Sequence, residues 1–108
     1  MRGELWQPLP LPTTDLVGWI VVSADALDSA PTATVVAVTG EPPRRGLGWP
    51  IVIPLPHGTL ARDCWALATQ LHTIPRDELG RSRGALTSAT MVQIDDALMR
   101  VLALDRLQ

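Results

Sequence analysis

Arginine alone carries the basic side-chain charge of this chain: all nine basic residues are Arg and none is Lys, in 108 residues. A guanidinium presents a planar fork that holds a phosphate or carboxylate through two parallel bonds. Arg44 and Arg45 are adjacent in EPPRRGLG, a run from Glu41 to Gly48 whose prolines and glycines read as a loop. Arg81 and Arg83 alternate on a short strand-like segment, so they share a face. They extend a basic groove, or they simply solvate a sheet edge. Trp6, Trp19, Trp49 and Trp65 are the only aromatics, and Trp19 and Trp49 flank the Arg44–Arg45 loop. An indole stacks on a nucleobase, but in a chain without Phe or Tyr the four read chiefly as core and interface area.

Other chemistries are poorly supplied. Cys64 is the only cysteine, and with just His57 and His72 beside it no metal-ligand spacing arises. Catalysis by this chain is therefore expected to need neither a metal nor a cofactor. His72 lies in an apolar strand and reads as a packed, hydrogen-bonded core residue, and His57, in a Pro/Gly turn, is assigned no role. A net charge of -2 argues against a strongly basic nucleic-acid scaffold and leaves a local Arg patch open. Lys, Asn, Phe and Tyr are all absent and share AT-rich codons, so the Lys deficit fits a GC-rich coding sequence better than selection for phosphate.

These residues need a scaffold, and the length suits one domain over residues 1–108. The longest apolar runs, such as GWIVV and IVIPLP, are far short of the ~20 residues of a membrane span. The N-terminus places an acid and prolines where a signal peptide has its apolar region, so a soluble, cytoplasmic protein is expected. Strands are predicted at GELWQ (Gly3 to Gln7), VGWIVVS (Val17 to Ser23) and TVVAVT (Thr34 to Thr39), with a further strand in WPIVIPLP that its prolines limit to an edge or a bent position. From Cys64 to His72 residues alternate with neither face polar, which suits a strand covered on both sides. IPRDELG fits one helical turn, with Pro75 first, Asp77 and Glu78 behind it and Gly80 ending it. Thr87 is a candidate N-cap for a last helix whose Met91, Ile94, Leu98, Val101 and Leu102 share a face, with Asp95, Asp96, Arg100 and Arg106 elsewhere. The expected class is mostly β with α: a small, SH3-like antiparallel barrel or coiled sheet with a short helical turn and a C-terminal amphipathic helix.

The stretch LARDCWALATQLHTIPRDELGRSRGALTSATMVQIDDALMRVLAL, from Leu60 to Leu104, resembles the closing half of the MazF/PemK toxins, small ribonucleases of bacterial type II toxin-antitoxin pairs. RGELWQ is similar to the family's start, and VVSAD and VVAVTG to its second and third strands. The resemblance implies a homodimer that cuts single-stranded RNA without metal and is neutralised by a cognate antitoxin. In that reaction a 2'-hydroxyl attacks the adjacent phosphorus, leaving a 2',3'-cyclic phosphate, and the enzyme must move protons and stabilise added charge on the phosphoryl oxygens. In the family an Arg-Pro pair before the second strand and a Thr ending the third do most of this. Thr39 matches the Thr, whereas the Arg-Pro pair falls on Val17 and Gly18 and is missing. The implied catalytic set is then Thr39 with Arg44 and Arg45 as replacement cations, and Arg81 and Arg83 as RNA-binding residues. A second reading is a non-catalytic dimer of the same fold that binds RNA or antitoxin. A third is a CcdB-like gyrase poison, since RRGLGWPIVIPLP is similar to that toxin's middle segment, although ALDRLQ lacks the aromatic of its C-terminus.

Overall fold

The computed structural model describes residues 1–9, 15–42 and 51–103. Its strands are β1 (Glu4–Gln7), β2 (Leu16–Val21), β3 (Thr32–Thr39), β4 (Val52–Pro54), β5 (Trp65–Pro75) and β6 (Arg81–Ala85). Short 3-10 turns occupy Asp25–Leu27 and Arg76–Glu78, and helix α1 (Ser88–Val101) closes the chain. The strands form one antiparallel sheet in the order β4-β5-β3-β2-β1-β6, curled into a half-barrel. Pro54 sits in β4, an edge strand, where its missing N–H costs no ladder bond.

The near-continuous apolar runs of β2 and β3 are explained by cover on both faces. Because strand side chains alternate, Ile20, Val36 and Val38 enter one cluster with Leu5, Ile53, Ala66, Met91, Ile94 and Leu98, against α1. Val21 and Val35 point the other way, into a smaller cluster with Ala33 and Leu79, onto which Trp6, Trp19 and Ile74 pack. The indoles of Trp6 and Trp19 thus supply packing area, as their composition suggests.

Helix α1 begins as expected: Thr87 is extended, and its Oγ1 accepts a bond from the Thr90 N–H at 3.2 Å. Its buried face is Thr90, Met91, Ile94, Ala97 and Leu98. Val101 and Leu102, assigned to that face by periodicity, are instead 38% and 50% exposed. Thr87→Ala is expected to destabilise the fold by about 1 kcal/mol, read as a shifted urea midpoint with unchanged slope. One flank of α1 is clamped by Arg2, whose guanidinium makes a two-point bond to Asp95 and whose Nε donates to the Val22 carbonyl at 3.0 Å. Asp95 raises the Arg2 pKa further, so this cation is spent on joining β1 to the helix.

Two expectations about β5 and the turn after it change. Pro75 ends β5 in an extended conformation and precedes the 3-10 turn, a position its fixed φ allows equally well. More consequential is the pairing of β5 with β3, which jumps from Ala37↔Leu67 to Val36↔Leu71. Three extra residues on β5 turn every later side chain over. Cys64, Ala66 and Ala68 face the helix core, while Gln70 and His72 emerge on the opposite face, and residues 69–73 are exposed. The strand is therefore covered on both sides only in its first half, where β4 also pairs with it.

Candidate functional site

Thr39 is the last residue of β3, an interior strand, where the chain leaves the sheet in a turn. Its Oγ1 accepts the Glu41 N–H at 3.1 Å, and the Gly40 N–H bonds the Asp15 carbonyl at 3.0 Å. A hydroxyl that accepts one bond still has its own proton to donate, so Thr39 keeps a donor at this turn. The odd residues of β3 place Thr39 and Ala37 on the same face as Trp19, and there a depression of about 420 Å³ is lined by Asp15, Leu16, Trp19, Ala37, Val38, Thr39, Leu67, Gln70 and His72. His72 is exposed, not packed in the core, and its ring meets that of Trp19 edge-on at 5.6 Å between centroids. The register jump in β5 is what brings Gln70 and His72 to this face.

The remaining sites predicted from sequence are distributed differently. Arg44, Arg45 and Trp49 lie outside the described residues. Arg81 and Arg83 are exposed on β6, the far edge of the sheet, three strands from β3 and so about 14 Å away across the ladder. Arg83 lines a separate depression of about 250 Å³ with Thr59, Thr87 and Thr90. The structure therefore does not bring Arg83 and Thr39 into one depression.

Sequence reasoning passed over Arg62. Its Nη2 donates to the Gly40 carbonyl at 2.9 Å, and its guanidinium covers Gly40 so closely that a Cβ there would lie 2.5 Å from Cζ. Glycine at 40 is thus the seat for an Arg that braces the Thr39 turn. Gln70 and His72 were equally hidden, since only the register jump separates them from the core alternation that precedes them. Cys64 is buried, and burial followed by the charge of Asp63 pushes its thiol pKa up, which leaves it unreactive as a nucleophile at neutral pH.

Residues 18–102 match the family described as PemK-like, MazF-like toxin of type II toxin-antitoxin system. The chain belongs to this family. Comparison with curated proteins gives no match. Among solved structures, an endoribonuclease in complex with its cognate antitoxin from a mycobacterial species is 28% identical, with a TM-score of 0.76 over 96% of this chain and 95% of that one. An endoribonuclease from a mycobacterial species is 23% identical, with a TM-score of 0.77 over 95% and 90%. Mycobacterium tuberculosis toxin MazF-mt6 shares the fold at 16% identity, with a TM-score of 0.74 over 94% and 97%.

Against the PemK/MazF pattern, the start of β2 is the point of departure. Pairing shifts between Leu16↔Thr39 and Gly18↔Val38, and this bulge sends Val17 into the helix-side core, where it is 8% exposed. Gly18 is closely approached as well, for a Cβ there would lie 3.0 Å from the Trp6 carbonyl oxygen and 3.2 Å from a Leu5 methyl. The groove positions beside Thr39 are taken by Leu16 and Asp15. Among the described residues lining the depression there is no Arg, and Asp15 brings a negative charge.

Proposed function

We propose that the protein is the toxin of a type II pair and acts in the cytoplasm as a metal-independent endoribonuclease on single-stranded RNA. It works as a homodimer held in check by a cognate antitoxin. The family match over residues 18–102 carries this reading, together with a structural relative at 28% identity that is an endoribonuclease bound to its antitoxin. Among the described residues no helix is long and apolar enough to cross a membrane, and no cluster of His, Cys, Asp and Glu could hold a metal ion.

In this reading the 2'-oxygen of the substrate gives up its proton and bonds to phosphorus, the bond to the 5'-oxygen breaks, and that oxygen leaves as a hydroxyl on taking up a proton, which leaves a 2',3'-cyclic phosphate. The Thr39 hydroxyl donates to a phosphoryl oxygen as charge accumulates there, and the Arg62 brace keeps the Thr39 turn from relaxing, so that no reorganisation is needed during the reaction. Arg44 and Arg45 supply the cation that the family draws from the start of β2. The test is cleavage of a mixed-sequence single-stranded RNA by purified protein in EDTA. Cutting that survives EDTA and collapses in Arg44→Ala/Arg45→Ala supports a relocated cation, and a folded dimer that cuts nothing refutes the enzyme.

The absence of Arg from the described lining favours one alternative, a dimer that binds RNA or antitoxin without cutting. The bulge separates the two cases by prediction. Leu16 pairs directly with Thr39 and faces the depression, so Leu16→Arg is expected to raise the cleavage rate by about tenfold or more. Val17→Arg, although it restores the family residue by number, buries an unpaired charge and is expected to cost about 3 kcal/mol or more of stability. Rates and urea midpoints of the two variants check this, and equal behaviour would contradict the bulge.

A further inference from the structure

We infer that Trp19 and His72 form a nucleobase subsite, which holds the base of a nucleotide next to the phosphate bound at Thr39. This rests on the ribonuclease reading above and adds a ligand contact to it. The two rings are inclined at 67°, so they make a corner over the sheet. A planar base that stacks on one ring presents itself edge-on to the other, and both are favoured aromatic geometries. Ala37, small and nearly flush, floors the corner between them, because Trp19 pairs with Ala37 and His72 with Val35 across β3. Gln70 adds an amide at the rim, able to donate to and accept from a base edge.

Spacing assigns the corner to a base and not to the reacting phosphate. Along β3, Ala37 is two residues and Val35 four residues from Thr39, which is about 7 and 13 Å of strand. The corner thus steps away from Thr39 along the strand, which suits the base of a nucleotide neighbouring the phosphoryl group bound there.

The test uses the full chain and two short mixed-sequence 2'-O-methyl RNAs, one intact and one with the same backbone but no bases. Neither has a free 2'-hydroxyl, so neither can be cut. Wild type is expected to bind the intact strand at least about tenfold more tightly, Trp19→Leu to lose about tenfold of that preference with unchanged affinity for the baseless strand, and Trp19→Phe to keep it. His72→Leu, at an exposed position where folding is not at stake, is expected to lose a smaller factor and decides the matter if Trp19→Leu does not fold. A preference that survives both leucine variants overturns the subsite while leaving the ribonuclease reading intact. A loss confined to antitoxin binding makes the corner a protein contact and overturns it too. Wild type that binds neither strand removes RNA from the function altogether, and the subsite with it.

Discussion

Thr39→Ala is expected to lower the rate of RNA cleavage by about a hundredfold while leaving the fold and RNA affinity close to wild type. The hydroxyl ends β3 at the depression, and with its oxygen engaged by the Glu41 N–H it keeps its own proton to donate. Its interaction grows with charge on the phosphoryl oxygens, so its removal should fall on kcat and barely on KM. Thr39→Ser keeps the hydroxyl and should retain most of the rate. Should Ala and Ser variants both cut like wild type, Thr39 takes no part in the reaction. A loss in KM alone would reassign it to binding. The Glu41 N–H also loses its acceptor in the Ala variant, but it lies in an exposed turn where water replaces the bond, so a large loss of stability is not expected.

Gly80→Ala is expected to be the most damaging of small substitutions to stability. Gly80 has φ +91° and ends the 3-10 turn against the close of β1, where a Cβ would lie 2.0 Å from the Gln7 carbonyl oxygen and 2.8 Å from the Pro8 Cα. Those neighbours are backbone, so relief requires moving the strand that pairs Gln7 with Arg81. Gly58 provides the control: its φ is +86°, but a Cβ there meets nothing within 4 Å. Gly58→Ala should lose about 1–2 kcal/mol for the left-handed backbone alone, and Gly80→Ala about 4 kcal/mol or fail to fold. Urea unfolding of the two variants isolates the steric part as their difference. Equal losses would mean that β1 and the turn slide apart freely, and that the β1–β6 pairing contributes little.

The sequence by itself determined the elements and the family. Apolar runs, prolines at strand ends, a Thr cap and a helical apolar face are local signals, and each reports the conformation of its own segment. Five of the six strands lie where such signals put them and the sixth carries the Arg81–Arg83 alternation, because propensity and burial agree in them. The end of β3 at Thr39 was legible for the same reason, whereas a catalytic role for its hydroxyl comes from the family resemblance alone.

What only the tertiary structure decided was which face each side chain takes after a break in register. No residue in ATQLHT announces that β5 carries three more residues than β3 between two pairs, so alternation read from Cys64 onward sent Gln70 and His72 to the wrong side. Likewise Val17 could be aligned with a catalytic Arg but not seen to turn into the core, since the bulge at Leu16 to Gly18 exists only in the pairing of β2 with β3. Arg62 braces Gly40 across 22 residues of chain, a contact that no local pattern encodes. A bulge is a property of two strands together: a shift by an odd number of residues exchanges the faces of everything beyond it, so partner and register must be known before a groove can be told from a core.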